Sequence, residues 1–147
     1  MLPPWTPLKV RKLRDVAVEC WGRQYIFTDS PFPDQIVSAG ESLLAEPISI
    51  RVSVGGKVVS WRARQVQLVE QRPQRVVLSA RADSSELSLR AKTTVEYDGM
   101  VKVDCAFTPK KKFNVDGLIV KVPMKQERAL YFNSPWVTRF ASPLEYK

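Results

Sequence analysis

The two carboxylates best placed for acid and base work are Glu96 and Asp98, because residues two apart on a strand project from one face. Asp98 precedes Gly99, however, and Asp-Gly is a favoured pair for a tight hairpin, which accounts for the aspartate without catalysis. The chain has no histidine, so the commonest general base, zinc ligand and neutral-range proton switch are all missing. Cys20 and Cys105 are the only thiols. Each sits in an apolar-rich segment without a histidine to activate it, and the expected role is a small buried hydrophobe, with a disulfide the lesser reading. No Gly-rich phosphate loop, nucleophile triad or metal-ligand spacing occurs, so no catalytic residue, cofactor site or metal site is expected, and the chain is not expected to be an enzyme by itself.

Binding chemistry is better represented. The 147 residues carry 23 Lys and Arg against 15 Asp and Glu, a formal charge of +8, and include the run Lys110-Lys111-Lys112. Clustered cations bind polyanions by releasing counterions from them, which makes polyanion binding one alternative function. The arginines at 62, 64, 72, 75, 81 and 90 read as spread over several strands and loops, with no nucleic-acid motif beside them, which argues against nucleic acid as the partner. Trp21, Tyr25, Trp61 and Tyr97 lie on or beside expected strands. Filling the space between sheets is the plain role for such rings, and stacking on a sugar is the functional one, with Trp21 and Trp61 as the candidate carbohydrate contacts.

The elements that must position these groups are strands. Gln65-Val66-Gln67-Leu68 and Glu86-Leu87-Ser88-Leu89-Arg90-Ala91 alternate polar and apolar residues, the period of a half-buried strand. The same reading gives strands near 14–19, 24–28, 48–54, 57–62, 65–71, 75–82, 87–97, 100–107 and 118–122. Gly55-Gly56 and Asp98-Gly99 are expected at the centres of two-residue hairpins joining antiparallel neighbours. Only 38–46 could form a helical turn, stopped by Pro47. The fold class is therefore all-β, an antiparallel sandwich of two packed sheets in one domain spanning 1–147. Extended Pro-rich flanks, holding Trp5 and Trp136, are expected outside the sheets at about 1–12 and 134–147. No segment approaches the roughly 18 apolar residues of a membrane helix, so no membrane partner is expected. The start lacks the apolar centre of a signal peptide, and localisation stays open.

Several separated phrases resemble a known family: Pro4-Trp5-Thr6-Pro7, Trp21-Gly22-Arg23-Gln24-Tyr25, Pro33-Asp34-Gln35-Ile36-Val37-Ser38-Ala39-Gly40, Leu43-Leu44-Ala45-Glu46-Pro47 and Glu96-Tyr97-Asp98-Gly99-Met100. With Val122-Pro123-Met124 and Glu127-Arg128-Ala129 they are similar, over nearly the whole chain, to the N-terminal region of proteins like glycoside hydrolase family 123. The resemblance implies a β-sandwich ahead of a (β/α)-barrel in which an adjacent Asp-Glu pair performs substrate-assisted hydrolysis of N-acetylgalactosaminides. This chain has no Asp-Glu dipeptide and lacks the roughly 250 residues of a barrel, so no catalytic residue carries over. What carries over is structural: Arg23, Pro33, Gln35, Gly40, Pro47, Tyr97, Asp98 and Gly99 match the pattern and are expected to fix turns and register. The resulting expectation is a non-catalytic accessory domain, a piece of a larger protein, whose partner is that protein's catalytic barrel. A carbohydrate-binding module is the alternative with a glycan as partner.

Overall fold

The computed structural model describes residues 6–129. Its strands form three antiparallel sheets. The first is a meander of β1 (Lys9–Lys12), β2 (Val16–Cys20), β3 (Arg23–Phe27), β4 (Gln35–Ser38) and β5 (Glu41–Ser42) in sequential order. The chain then makes β6 (Ser49–Val54), β7 (Lys57–Val58), β8 (Arg62–Arg72), β9 (Arg75–Asp83), β10 (Leu87–Glu96), β11 (Val101–Pro109) and β12 (Val115–Lys121). Of these, β8 to β11 form the second meander, and β12, β6 and β7 form a small third sheet in that order. The all-β sandwich read from alternation is what forms, with the third sheet added to the expected two.

The alternation works as the period requires. Leu87, Leu89, Ala91, Thr93 and Val95 of β10 are buried while the residues between them reach water. Leu89, Ala91 and Val95 meet Val76, Leu78, Ala80 and Ala82 of β9 and, from the first sheet, Val16, Val18, Tyr25 and Phe27 in the main core. A second cluster forms where Val52 of β6 and Val59 cover Leu87, with Trp61 and Phe107 at its margin.

Three local expectations need correction. Residues 38–46 make no helical turn: Ala39 and Gly40 both take positive φ, 50° and 82°, and close a two-residue loop between β4 and β5. Two left-handed residues suit the right-handed twist of a hairpin and cannot begin a helix. The strand expected at 57–62 ends at Val58, because the chain crosses there from the third sheet to the second, pinned by the bond from Val59 N to Val52 O at 2.8 Å. Lys9–Lys12, expected in the flank outside the sheets, is β1, paired with Glu19 to Val16 of β2. Four residues with one apolar side chain carry no alternation, and their strand state comes from the neighbour. The flank at 134–147, with Trp136, and Trp5 lie outside the described residues.

Candidate functional site

The joint between the first and second sheets is built around the β10–β11 hairpin. Val95 faces Val101, Glu96 N donates to Met100 O at 2.9 Å, and Gly99 N donates to Glu96 O at 2.9 Å. The loop is thus three residues, Tyr97, Asp98 and Gly99, and of these only Gly99 has positive φ, at 89°. That is a type I turn closed by a left-handed glycine, in place of the two-residue turn centred on Asp98-Gly99 that the sequence implied. Asp98 is spent on the turn: its Oδ1 accepts from Met100 N at 2.9 Å. From the opposite sheet, Arg23 Nη1 donates to Asp98 O at 3.1 Å and the buried Tyr25 donates its hydroxyl to Gly99 O at 2.6 Å. Two family phrases far apart in sequence therefore meet through backbone carbonyls.

This joint has little reactive character. Burial pushes the Cys20 thiol above its ordinary value, with Arg23 opposing, and burial likewise raises the Tyr25 phenol. Cys105, half-buried on β11, is also raised by burial. Both cysteines are free, and a raised thiol is protonated and unreactive at neutral pH. Among the described residues no group of three Asp, Glu, Cys or His side chains stands close enough to hold a metal ion.

The other family-pattern residues sit at similar joins. Gln35 clamps the chain across β4: its Oε1 accepts from Leu44 N at 3.0 Å and Ile36 N at 2.9 Å, and its Nε2 donates to Leu44 O at 3.1 Å. Pro33 O accepts from Ile48 N at 3.1 Å, just after the exposed Pro47. The Leu43–Pro47 phrase lies beside the Val122–Met124 phrase, with Ala45 N bonded to Pro123 O at 2.8 Å and Lys125 N to Leu43 O at 2.9 Å.

The two candidate sugar contacts are not brought together. Trp21, about half exposed, occupies the β2–β3 turn with φ 25° and lines an open groove of about 500 Å³ with Lys9, Glu19, Arg23 and Gln24. Trp61 is half-buried, packs on Phe107 with ring centroids 6.3 Å apart, and encloses its indole N–H without an acceptor. Trp21 neighbours Arg23, which touches Asp98 past one end of β10. Trp61 precedes Arg62, whose partner Asp83 pairs with Ser88 at the other end. At about 3.3 Å per residue the length of β10 separates them by roughly 30 Å, too far for one sugar platform.

The charged residues sort differently from their sequence positions. Lys110 is engaged, donating to Ser84 O at 2.6 Å, with Asp83 3.6 Å away. Arg72 and Arg75 share Glu70, each at 2.7 Å. Arg64, Arg81 and Arg90, however, fall directly opposite one another on β8, β9 and β10, all exposed. The sequence gives no sign of this row, because it depends on register.

These features define an all-β sandwich domain whose notable sites are joints and surfaces. The chain matches a family model described as "Glycoside hydrolase 123, third domain" over residues 11–134, and it belongs to that family. The description numbers the domain third, where the resemblance of the sequence phrases implies an N-terminal one. Being a third domain, it has other domains beside it in proteins of the family. No curated protein matches the chain.

Proposed function

We propose that the chain is a non-catalytic accessory domain that packs against another domain of a glycoside hydrolase, its catalytic barrel. The observation that carries this reading is strand β12. It is the edge of the third sheet, and Leu118, Ile119 and Val120, with Val122 beyond its end, are all exposed. Leu118 and Val120 stand opposite Val52 and Ile50 of β6, so they continue the core-facing side of that sheet past the point where the second sheet covers it. They are 52% and 45% exposed. An apolar edge strand invites association, and covering such side chains is worth up to about 1.5–3 kcal/mol each. Family membership supports a neighbouring domain of the same protein as the occupant.

The test compares Leu118→Ser/Val120→Ser in this chain and in the whole parent protein. The isolated chain should unfold as before, while the parent should lose thermal stability and become open to proteolysis between domains. Equal effects on both would refute the docking reading. Against aryl N-acetylgalactosaminides this chain should give no turnover; turnover abolished by one carboxylate substitution would overturn the non-catalytic reading.

A second reading has its own support in the Trp21 groove, where an accessible ring stands beside Lys9, Glu19 and Arg23, the mixture of flat apolar face and hydrogen-bonding groups that a sugar ring requires. It predicts that Trp21→Ala abolishes neutral-glycan binding and Trp61→Ala does so only if it unfolds the chain. An array showing no signal that Trp21→Ala removes would end it.

A further inference from the structure

We propose that the outer face of the second sheet binds an anionic polysaccharide, its sulfate or carboxylate groups held by the row Arg64, Arg81 and Arg90. The inference is independent of the docking reading, since it concerns a different sheet.

The register places Arg64 opposite Arg81 and Arg81 opposite Arg90, so the three side chains leave the same face of three neighbouring strands. With strands about 4.8 Å apart, the row is a line of cations about 10 Å long at one-strand pitch. Like charges directly opposite one another destabilise a sheet, and two such pairs in succession run against local stability. None of the three donates a hydrogen bond or forms an ion pair within 4.0 Å with any described residue, unlike Arg72, Arg75 and Arg128. Their guanidinium donors are therefore available, and those donors fit oxyanions in bidentate fashion.

Two depressions give the row a shape. One, of about 140 Å³, lies between Arg64 and Arg81 and is completed by Gln65, Gln67 and Ser79. The other, of about 130 Å³, is lined by all three arginines together with Asp83, Ser88 and Leu89. Asp83 opposes an anion there, although Ser88 Oγ donates to it at 2.7 Å and Lys110 stands 3.6 Å away. The first depression, lined by arginine and neutral hydrogen-bonding groups alone, is the stronger subsite.

The occupant follows from what surrounds the cations. Ser79, Gln67, Ser88 and Lys92 share the face, groups that hydrogen-bond to hydroxyls, while the facing positions of β11 are Lys102, Asp104, Ala106 and Thr108. No ring is among them, and single-stranded nucleic acid is held largely by stacking on rings. An extended polysaccharide with an anionic group on successive sugars presents charges at a pitch comparable with the strand spacing and hydroxyls between them. It would lie across the strands along the row.

The experiment titrates the chain, at physiological salt, with chondroitin sulfate, with polygalacturonate, with neutral dextran and with a single-stranded oligodeoxynucleotide. The expected result is binding to one or both anionic polysaccharides, with the sulfate-bearing and carboxylate-only chains showing which group is preferred, and none to dextran. Arg81→Gln should weaken binding about tenfold and lessen its salt dependence, as loss of one charge-assisted bidentate contact implies. Arg81→Lys should recover only part, because it restores charge without the planar fork. Arg11→Gln, an exposed charge on the first sheet, should leave binding unchanged. Arg81→Gln should fold at least as stably as the parent sequence because it relieves like-charge repulsion, which denaturant unfolding checks. Equal loss in Arg81→Gln and Arg11→Gln, tighter binding of the oligonucleotide than of either polysaccharide, or no polysaccharide binding would each overturn the proposal.

Discussion

Substitution of Gly99 by alanine tests the sheet-to-sheet joint because its cost has two separable parts. The first is backbone: φ of 89° lies where an L side chain is strained, at roughly 1–2 kcal/mol. The second is contact, since a Cβ at this position meets Arg23 Nη1 and comes to 3.1 Å from Tyr25 Oη. The guanidinium can swing into water at the loss of its bond to Asp98 O, whereas the buried tyrosine ring must give way at its bond to Gly99 O. One weakened buried hydrogen bond adds about 1 kcal/mol. Gly40 is the control: its φ is 82°, and a Cβ there meets nothing within 4 Å. Gly40→Ala should therefore cost the backbone part alone, and Gly99→Ala about 1 kcal/mol more, an extra fall in Tm of about 3 °C for a domain of this size. Denaturant unfolding of both variants, with unchanged m, measures the difference. If Gly99→Ala costs no more than Gly40→Ala, the close approach of Arg23 and Tyr25 is not a feature of the folded protein. Asp98→Asn should be nearly neutral, because an amide oxygen still accepts from Met100 N.

Gln35→Leu removes three hydrogen bonds to Ile36 and Leu44 and should destabilise by about 2–3 kcal/mol, readable as a lower denaturation midpoint. Thr93→Val keeps the shape of a side chain only 2% exposed but leaves Pro31 O without its 2.6 Å donor, at about 1–3 kcal/mol; a neutral result would mean that the carbonyl finds another partner. Burial raises the Asp34 carboxyl above its ordinary 3.8, against the bond it accepts from Thr28 N. The folded state then holds that proton more tightly than the unfolded one, so the group's contribution is full below 3.8 and is lost as pH rises through the folded value. Asp34→Asn should accordingly gain stability relative to the parent sequence as pH climbs through that window, and a pH-independent difference would refute this.

How much of this was legible depends on the scale at which each feature is encoded. The strands β8 to β11 announce themselves because one face is core and the other water, and Leu87 to Val95 spell that out residue by residue. β4 and β5 do not, because they depend on pairing with β3, on the Gln35 side chain and on a pair of left-handed residues, Ala39 and Gly40, none of which period-two reading can see. The arginine row is hidden deeper. Counting back from the Pro73-Gln74 loop without interruption would set Val66 opposite Arg81. Irregularities between Arg64 and Gln67 and between Leu68 and Glu70 shift β8 so that Arg64 takes that place. The same limit applies to Trp21 and Trp61, similar in sequence and set at opposite ends of the sandwich.

The phrases that carry the family likeness converge on three places: Arg23 and Tyr25 on the Asp98-Gly99 loop, Gln35 on Leu44, and Leu43 to Glu46 alongside Pro123 to Lys125. Each is a bond to backbone between separate segments, nine residues apart at Gln35–Leu44 and over seventy at the other two, which is the work of fixing register and sheet-to-sheet geometry. The surfaces with capacity for partners are mostly elsewhere. Arg64, Arg81 and Arg90 belong to none of the phrases, nor do Leu118 to Val120. Residues that hold backbone to backbone constrain the fold whatever the surface meets, while residues that face outward are free to answer to a ligand or a neighbouring domain. The likeness therefore establishes the sandwich, and what the domain touches has to be argued from the outward-facing row and edge.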